Sequence, residues 1–541
     1  MKIHLLEFFS RESDQPLQRL LVAIVLSGIG EGMLMALAIL GAGSVEFTPA
    51  RSALLVLYLV ALTLYLGGLR RALKIGFVAS EQALKRVRTR LTARLVQADL
   101  AYVERHAGTG RFTPLTQDTR LIADAMTQAL YCLQSLALFA VSGLYLAWKD
   151  PATFGLVALV FVVVLPMLAR NYHRATQETR LSTECEGAFF GLFGDMVTGF
   201  KEVKLNRARS QALQAGLMAQ ARRAHAPRHE VNQSTVDGLQ FSNGTFYVLL
   251  AVLVFVLPEL WPAHSDTVEQ TLSTVLFLMG PLTMFATTLP MLARAEAAVA
   301  GLYALEDEIN ASSRGPATPE QAFSVEPPAF EHLSLHAVRY QYTDASGEVT
   351  FDCGPHDLQI RRGELVFIIG GNGSGKSTLL KLLTGLYVPL EGELRLDGRG
   401  VDAALRERWR ELFAIVFTDF HLFDRLYGLE QVDPAEVQRW LQVMGLDRKT
   451  RYQEGRFTHT SLSTGQRKRL AFIVAVLRNK PICVFDEVAA DQDPDLRRRF
   501  YRELLPELRA RGTTVIVVSH DDAFFDCADR LIRLQDGRIV T

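Results

Sequence analysis

The stretch Leu365–Leu386, LVFIIGGNGSGKSTLLKLLTGL, changes character twice within 22 residues. Leu365–Ile369 is a short apolar run rich in β-formers, as a buried strand requires, and Ser377–Leu386 repeats its leucines at helical spacing. Between them Gly370–Ser377, GGNGSGKS, fits G-x-x-x-x-G-K-[ST] in the strand–loop–helix setting that gives this pattern its meaning. Glycines at such a turn let backbone N–H groups wrap a phosphate. Gly370, Gly371, Asn372, Gly373, Ser374, Gly375 and Thr378 are therefore expected to cradle a nucleotide. Lys376 is expected to bridge β- and γ-phosphate oxygens, and the Ser377 hydroxyl to ligate Mg²⁺.

A second apolar run, Ile482–Phe485, ends in Asp486-Glu487. At the tip of a parallel strand beside the phosphate loop, Asp486 would hold Mg²⁺ and Glu487 would orient or deprotonate an attacking water. Without the phosphate loop the same pair would read as a solvated strand end. Between the two motifs, Leu462-Ser463-Thr464-Gly465-Gln466 precedes RKRLAFIVAVLRN, whose apolar spacing suits a helix that begins at an exposed Ser-Gly turn.

In that order, phosphate loop, LSTGQ, Asp-Glu strand and a later strand ending in Ser519-His520, the chain resembles the ATP-binding-cassette (ABC) family, whose signature is LSGGQ. The resemblance implies that Tyr342 stacks on adenine, that His520 contacts the γ-phosphate and acts with Lys376 and Glu487 in hydrolysis, and that Asp493, in AADQD, lies in the loop joining two active sites. It also implies that Ser463, Gly465 and Gln466 complete the ATP site of an opposing protomer. One nucleotide domain per chain then implies a dimer, most simply a homodimer; pairing with a different half-transporter stays open. Two departures stand out. Thr418-Asp419 occupies the place where the family commonly carries a Mg²⁺-linked glutamine, and Thr464 replaces a signature glycine.

The first three hundred residues are of another kind. Six apolar runs, near 17–40, 53–75, 127–148, 152–171, 241–262 and 272–292, each approach the roughly 20 helical residues that cross a bilayer. Eleven lysines and arginines from Arg70 to Arg120, and a second group from Arg174 to Arg228, mark the long loops after the second and fourth runs as cytoplasmic. Residues 258–270 carry acids and no lysine or arginine, so both termini face the cytosol. The expected architecture is a membrane all-α six-helix exporter domain (1–305), a Pro/Ser/Glu-bearing linker (306–330) and a cytosolic α/β P-loop ABC ATPase domain (331–541), placed in a bacterial inner membrane.

Composition closes off other classes. At 541 residues the chain exceeds one ordinary core. Its formal net charge of zero offers no basic stripe for nucleic acid. Five scattered cysteines, with no C-x-x-C, point to neither zinc nor disulfides and fit a reduced compartment. About sixteen residues before the first run leave no room for a peptidase, so leader cleavage is not expected. Residues 1–16 mix apolar and charged side chains, as an amphipathic segment on the membrane surface or a frayed terminus would.

Gly110-Arg111-Phe112 with Leu115–Asp118, and Gly199–Asn206 (GFKEVKLN), resemble the coupling segments of ABC exporters. The wording GFKEVKLN, VFTDFHLF, LSTGQRKRLA and LFLMGPL resembles the cyclic-peptide and siderophore exporters of Gram-negative bacteria, the pyoverdine and syringomycin exporter group. That resemblance implies a peptide or siderophore-precursor cargo; a lipid or glycolipid flippase and an ATP-gated sensory complex share the architecture. Glu31, in the middle of the first run, would be costly facing lipid and is expected to face a cavity, there to attract a cationic cargo group or to pair with a neighbouring helix. Asn243, Thr245, Thr283, Thr287 and Thr288 are weaker candidates, better read as hydrogen-bonding within the bundle.

Overall fold

The computed structural model describes the chain apart from residues 1–6, 9–10, 15, 43–48, 107–110, 113–114, 116–117, 257–258, 260–267, 313–327, 345 and 541. Gly110, Thr116 and Gln117 of the first coupling segment, most of the segment 258–270 and the centre of the linker lie outside the described residues. The chain divides into two compact units, Met1–Ala98 with Tyr102–Ser312, and Asp99–Ala101 with Ser313–Thr541.

The first unit is helical: α1 (Leu17–Ala42), α2 (Pro49–Gln97), α3 (Leu100–His106), α4 (Asp118–Lys149), α5 (Pro151–Thr198), α6 (Phe200–Leu205), α7 (Arg207–Ala251) and α8 (Val268–Ser312). Five of the six apolar runs fall on a long helix; of the run 241–262, residues 241–251 end α7 and Val252–Val256 follow as a π-helix. Among the described residues, five helices are long and apolar enough to cross a membrane; in α5 the apolar stretch is described over Pro151–Val164. Leu55, Val56, Leu59, Val60 and Leu66 on α2 are exposed, the arrangement expected of a face turned to lipid. α2, α5, α7 and α8 continue well beyond their apolar runs.

Small residues set how closely α1 packs. A Cβ on Gly30 would come within 2.6 Å of the Tyr65 amide nitrogen, and one on Gly68 within 2.8 Å of that of Ser27, so α1 and α2 approach backbone to backbone. On another face Gly28 and Gly32 abut Ala137 and Val141 of α4. Glu31 lies between these contacts and accepts a hydrogen bond from Gln134 of α4 at 2.9 Å. Of the two expected roles, helix pairing is the one this bond performs. Thr283 and Thr287 bond to carbonyls of their own helix.

A second apolar core of this unit lies outside the runs, joining Ala83, Leu84, Val87 and Leu91 of α2, Ile122 of α4 and Leu302, Leu305 and Ile309 of α8. Phe8, 1% exposed, enters this core. Glu12, also buried, takes both Nη atoms of Arg90 at 2.8 Å, and Arg90 reaches Glu306 at 2.9 Å. The described part of the N-terminal segment is thus packed on protein, which differs from both expected readings, a membrane-surface segment and a frayed terminus: its apolar side chain meets α2 and α8, and its acid meets a half-buried arginine. The linker also starts later than expected. α8 runs to Ser312 because Glu306 pairs with Arg90 and Arg94, and Glu308 with Arg111, so these acids belong to a packed helix.

The second unit is α/β. A six-stranded sheet in the order β12-β11-β3-β10-β9-β6 joins β3 (Leu365–Gly370), β6 (Phe413–Val416), β9 (Ile482–Asp486), β10 (Thr514–Val518) and β11 (Arg530–Gln535) in parallel, with β12 (Arg538–Val540) antiparallel at one edge. A four-stranded antiparallel sheet holds β1 (His332–Thr343), β2 (Val349–Arg361), β4 (Glu391–Leu396) and β5 (Arg399–Gly400), and β7 (Tyr452–Gln453) pairs with β8 (Arg456–Phe457). The helices are α9 (Lys376–Leu383), α10 (Ala403–Arg410), α11 (Pro434–Val443), α12 (Thr464–Leu477), α13 (Pro494–Arg499) and α14 (Leu505–Ala510). Alternation along the parallel strands serves two cores. Phe367, Phe485, Val515 and Val517 face one with α11 and α12; Val366, Ile368, Val484 and Ile516 face the other with β1, β2 and α9. Burial on both faces explains why these strands read as unbroken apolar runs.

Candidate functional site

The parallel strands end together, and their carboxyl ends carry the site. β3 delivers Gly370, whose φ of 157° leaves its missing Cβ position 2.3 Å from the Leu534 carbonyl oxygen; no larger residue fits there. Gly373 and Gly375 have φ of 75° and 95°, in the left-handed region that glycine enters at least cost. Lys376 begins α9 and folds its Nζ back onto the carbonyls of Gly370 and Gly371, at 3.0 and 2.8 Å. Ser374 Oγ is buried without a hydrogen-bond partner, and the faces of Gly371 and Gly373 are open.

Asp486 ends β9, and Ser377 Oγ lies 3.4 Å from its Oδ2. Burial, and secondly the charge of Glu487, pushes the Asp486 carboxyl up to about 6. It also accepts the backbone N–H of Thr418. Thr418 therefore serves Asp486 through its amide, which any residue supplies. Glu487 follows with φ of 52°, its N–H bonded to the Val518 carbonyl at 3.1 Å. Its Oε1 meets His520 Nε2, from the end of β10, at 3.1 Å.

These residues fit ATP with Mg²⁺. An orphaned hydroxyl, open glycine faces and a lysine whose hydrogen bonds go to two loop carbonyls form an anion cradle. A buried carboxylate beside a serine hydroxyl is an oxygen donor set short of positive charge, which Mg²⁺ would supply.

The charge on Asp486 has a measurable consequence. Its folded-state value lies above the ordinary 3.8, so the native state holds the proton more tightly. The penalty is absent below pH 3.8 and complete above about pH 6, where it reaches on the order of 2–3 kcal/mol. Asp486→Asn is expected to raise the unfolding midpoint of the nucleotide-free ATPase domain at pH 7.5, to lose that advantage below pH 4 and to abolish Mg²⁺-dependent hydrolysis. In the wild type, kcat/KM for Mg²⁺-ATP, which reports the free enzyme, is expected to fall as the pH drops through about 6. Calorimetry and phosphate release across this range check both.

The structure brings Gly370–Thr378, Asp486, Glu487 and His520 into one cluster. Tyr342 Oη lies 3.3 Å from Thr378 Oγ1, which puts the expected adenine-stacking ring beside the start of α9. Ser463, Gly465, Gln466 and Asp493 are elsewhere: among the described residues no hydrogen bond joins them to the phosphate loop. Ser463 and Gln466 close a capping box at the start of α12, Gly465 O accepts from Gln492, and Asp493 caps α13 through the Leu496 amide. Thr464 takes the first helical position, where its Cβ is harmless.

Sequence reading missed Lys468, Gln492 and Tyr501. Lys468 Nζ donates to the Glu487 carbonyl at 2.9 Å. Tyr501 Oη lies 2.6 Å from Ser519 Oγ and 3.0 Å from Asp521 Oδ2, flanking His520. The one available signal was chemical: Lys468 is a cation in the first turns of a helix, where the dipole disfavours it.

Fold and site define a P-loop ATPase joined to a multi-span helical domain. The sequence profile of the ABC transporter family matches residues 353–490. ATP-binding protein SyrD of Pseudomonas syringae pv. syringae is 34% identical over 471 residues, 86% of this chain and 83% of SyrD. The ATP-dependent lipid A-core flippase of Cupriavidus metallidurans is 25% identical over 488 residues, 85% of this chain and 79% of the flippase. The solved structure of a bacterial Atm1-family ABC exporter with ATP bound superposes with a TM-score of 0.76 at 17% identity, covering 97% of this chain and 94% of that one, which shows the same fold.

The chain belongs to the ABC transporters, as an exporter half-transporter that carries membrane and nucleotide-binding domains together. It is a multi-pass inner-membrane protein with its nucleotide-binding domain in the cytoplasm, and it hydrolyses ATP to drive transport.

Proposed function

We propose that this half-transporter works as a homodimer and exports a cyclic or modified peptide, or a peptide siderophore precursor, by alternating access. The observation that carries the ATP-driven part is the convergence of Ser377, Asp486, Glu487 and His520 at the strand ends. The cargo class rests on two likenesses: the identity to SyrD exceeds that to the flippases, and GFKEVKLN and VFTDFHLF resemble peptide and siderophore exporters. The lipid A-core flippases among the relatives support a lipid cargo as the second reading.

In this reading Tyr342 stacks on adenine, the amides of Gly370–Thr378 enclose the phosphates, and Lys376 exchanges its two carbonyls for β- and γ-phosphate oxygens. Ser377 and Asp486 hold Mg²⁺, which when bound supplies charge neutralisation at the phosphoryl oxygens. Glu487 takes the proton of the attacking water, and His520, which meets it in the structure, turns to the γ-phosphate. Ser463, Gly465, Gln466 and Asp493, engaged only locally in one chain, complete the partner's site, so that closure needs two chains and two ATP molecules. Because ATP binds the closed form more tightly, it shifts the membrane helices; hydrolysis resets them. The exposed helix Phe200–Leu205 is the described coupling segment that carries the movement. Glu31, already paired with Gln134, keeps its second oxygen for a cationic cargo group.

The test is a titration of Mg²⁺-ATPase activity of the purified protein in phospholipid. A cyclic lipopeptide and a siderophore precursor are compared with added lipid A. Stimulation by one peptide class is expected; stimulation by lipid A alone would replace the peptide reading with the flippase.

A further inference from the structure

Three contacts join the start of α12 to the loop after β9. Lys468 Nζ donates to the Glu487 carbonyl at 2.9 Å and pairs with the Asp491 carboxylate at 2.6 Å. Gln492 Nε2 donates to the Gly465 carbonyl at 3.0 Å. Gly465 itself leaves no gap, since a Cβ there would come within 2.6 Å of the Asp491 carbonyl oxygen. The signature end of α12 and residues 487–492 are therefore one bonded body.

Lys468 is the member that ordinary helix chemistry does not explain. Its side chain is 9% exposed, and a buried cation persists only when paired. Its charge also opposes the dipole of the helix it stands on. What it grips is the carbonyl of a residue in the left-handed region, where a side chain with a Cβ is seldom found. Strained backbone at a site persists where its surroundings over-determine it. At Glu487 three bonds do so: N–H to Val518 O on one side, and on the other the carbonyl accepts Lys468 Nζ at 2.9 Å and the Ala490 amide at a longer 3.3 Å. Beyond that backbone is the carboxylate that meets His520.

We propose that Lys468 is a positioning residue for Glu487: its ammonium fixes the direction of the base and makes the base follow the signature helix when that helix moves. The proposal rests on Glu487 as the general base and on the signature serving the partner's nucleotide. On that footing the Lys468 bond couples the filling of one ATP site to the alignment of the base in the other.

Lys468→Met keeps the stem and removes the donor. In the full-length protein in phospholipid it is expected to lower kcat about tenfold or more, to leave KM for ATP within about twofold, and to flatten the cooperativity of hydrolysis with ATP concentration. Asp491→Asn, at a half-exposed carboxylate that leaves the fold intact, is expected to lower kcat by a smaller factor, again without a change in KM. Lys468→Arg, which can still donate, is expected to recover part of the rate. Wild-type kcat in Lys468→Met, or a loss lying wholly in KM, overturns the proposal. If Lys468→Met fails to fold, wild-type kcat and cooperativity in Asp491→Asn overturn it instead. Two controls separate it from its premises. Turnover by Glu487→Gln would remove the base and the proposal with it, whereas a silent Glu487→Gln beside a normal Lys468→Met would remove the proposal alone. Mixed dimers of Ser463→Arg and Lys376→Ala chains keep one intact site only if the signature acts on the partner's nucleotide; inactivity of the mixture would remove the coupling.

Discussion

Glu487→Gln is expected to bind ATP as the wild type does and to lose steady-state hydrolysis by at least about a hundredfold, the scale on which a positioned general base contributes. The substitution is nearly isosteric. It keeps a side-chain oxygen for His520, which now meets Glu487 Oε1 at 3.1 Å, and leaves the φ of 52° and the Val518 bond in place. What disappears is the capacity to accept a proton from water. The binding groups, Lys376, Ser377 and the glycine loop, belong to β3 and α9 and are unaffected by a change at the end of β9. ATP affinity from a nucleotide-dependent thermal shift, set beside phosphate release, separates the two effects. Turnover within a few-fold of wild type would mean that another group activates the water.

Arg90→Met is expected to destabilise the helical unit by about 3–5 kcal/mol, the range found when one partner of a buried ion pair is removed. Arg90 forks between Glu12, 2% exposed, and Glu306, 5% exposed, so its loss strands Glu12 wholly and leaves Glu306 with Arg94 alone. The N-terminal segment, held through Phe8 and Glu12, is expected to open and to become the first site cut in limited proteolysis. Arg94→Met, at a more exposed arginine, is expected to cost less than about 1 kcal/mol. Adding Glu12→Gln to Arg90→Met is expected to recover part of the loss by removing the stranded charge. Equal unfolding midpoints for Arg90→Met and Arg94→Met would show that the pair carries no such weight.

The nucleotide-binding half was legible because its motifs are local. Strand, glycine loop and helix follow one another within 22 residues, and Asp486-Glu487 closes an apolar run of strand length. The six apolar runs were legible because bilayer thickness imposes their length. What escaped depends on partners far apart in sequence. The acids of Glu306–Glu308 looked like linker because Arg90 and Arg111 are distant in the chain. Glu12 and Arg90 are 78 residues apart, and an amphipathic segment reads alike whether lipid or protein covers it. Gln134, 103 residues from Glu31, settles what that carboxylate touches, which no local pattern conveys. Lys468 was hidden for a related reason: nothing local in α12 says that β9 lays the Glu487 carbonyl against it.

The most direct test of ATP-driven export uses proteoliposomes with the nucleotide-binding domains outward. The measurement is the accumulation inside them of the labelled cyclic peptide or siderophore precursor that best stimulates hydrolysis. Accumulation that requires Mg²⁺ and ATP, and is absent with Glu487→Gln, is the predicted result. Accumulation of equal extent without ATP, or with Glu487→Gln, would contradict the account.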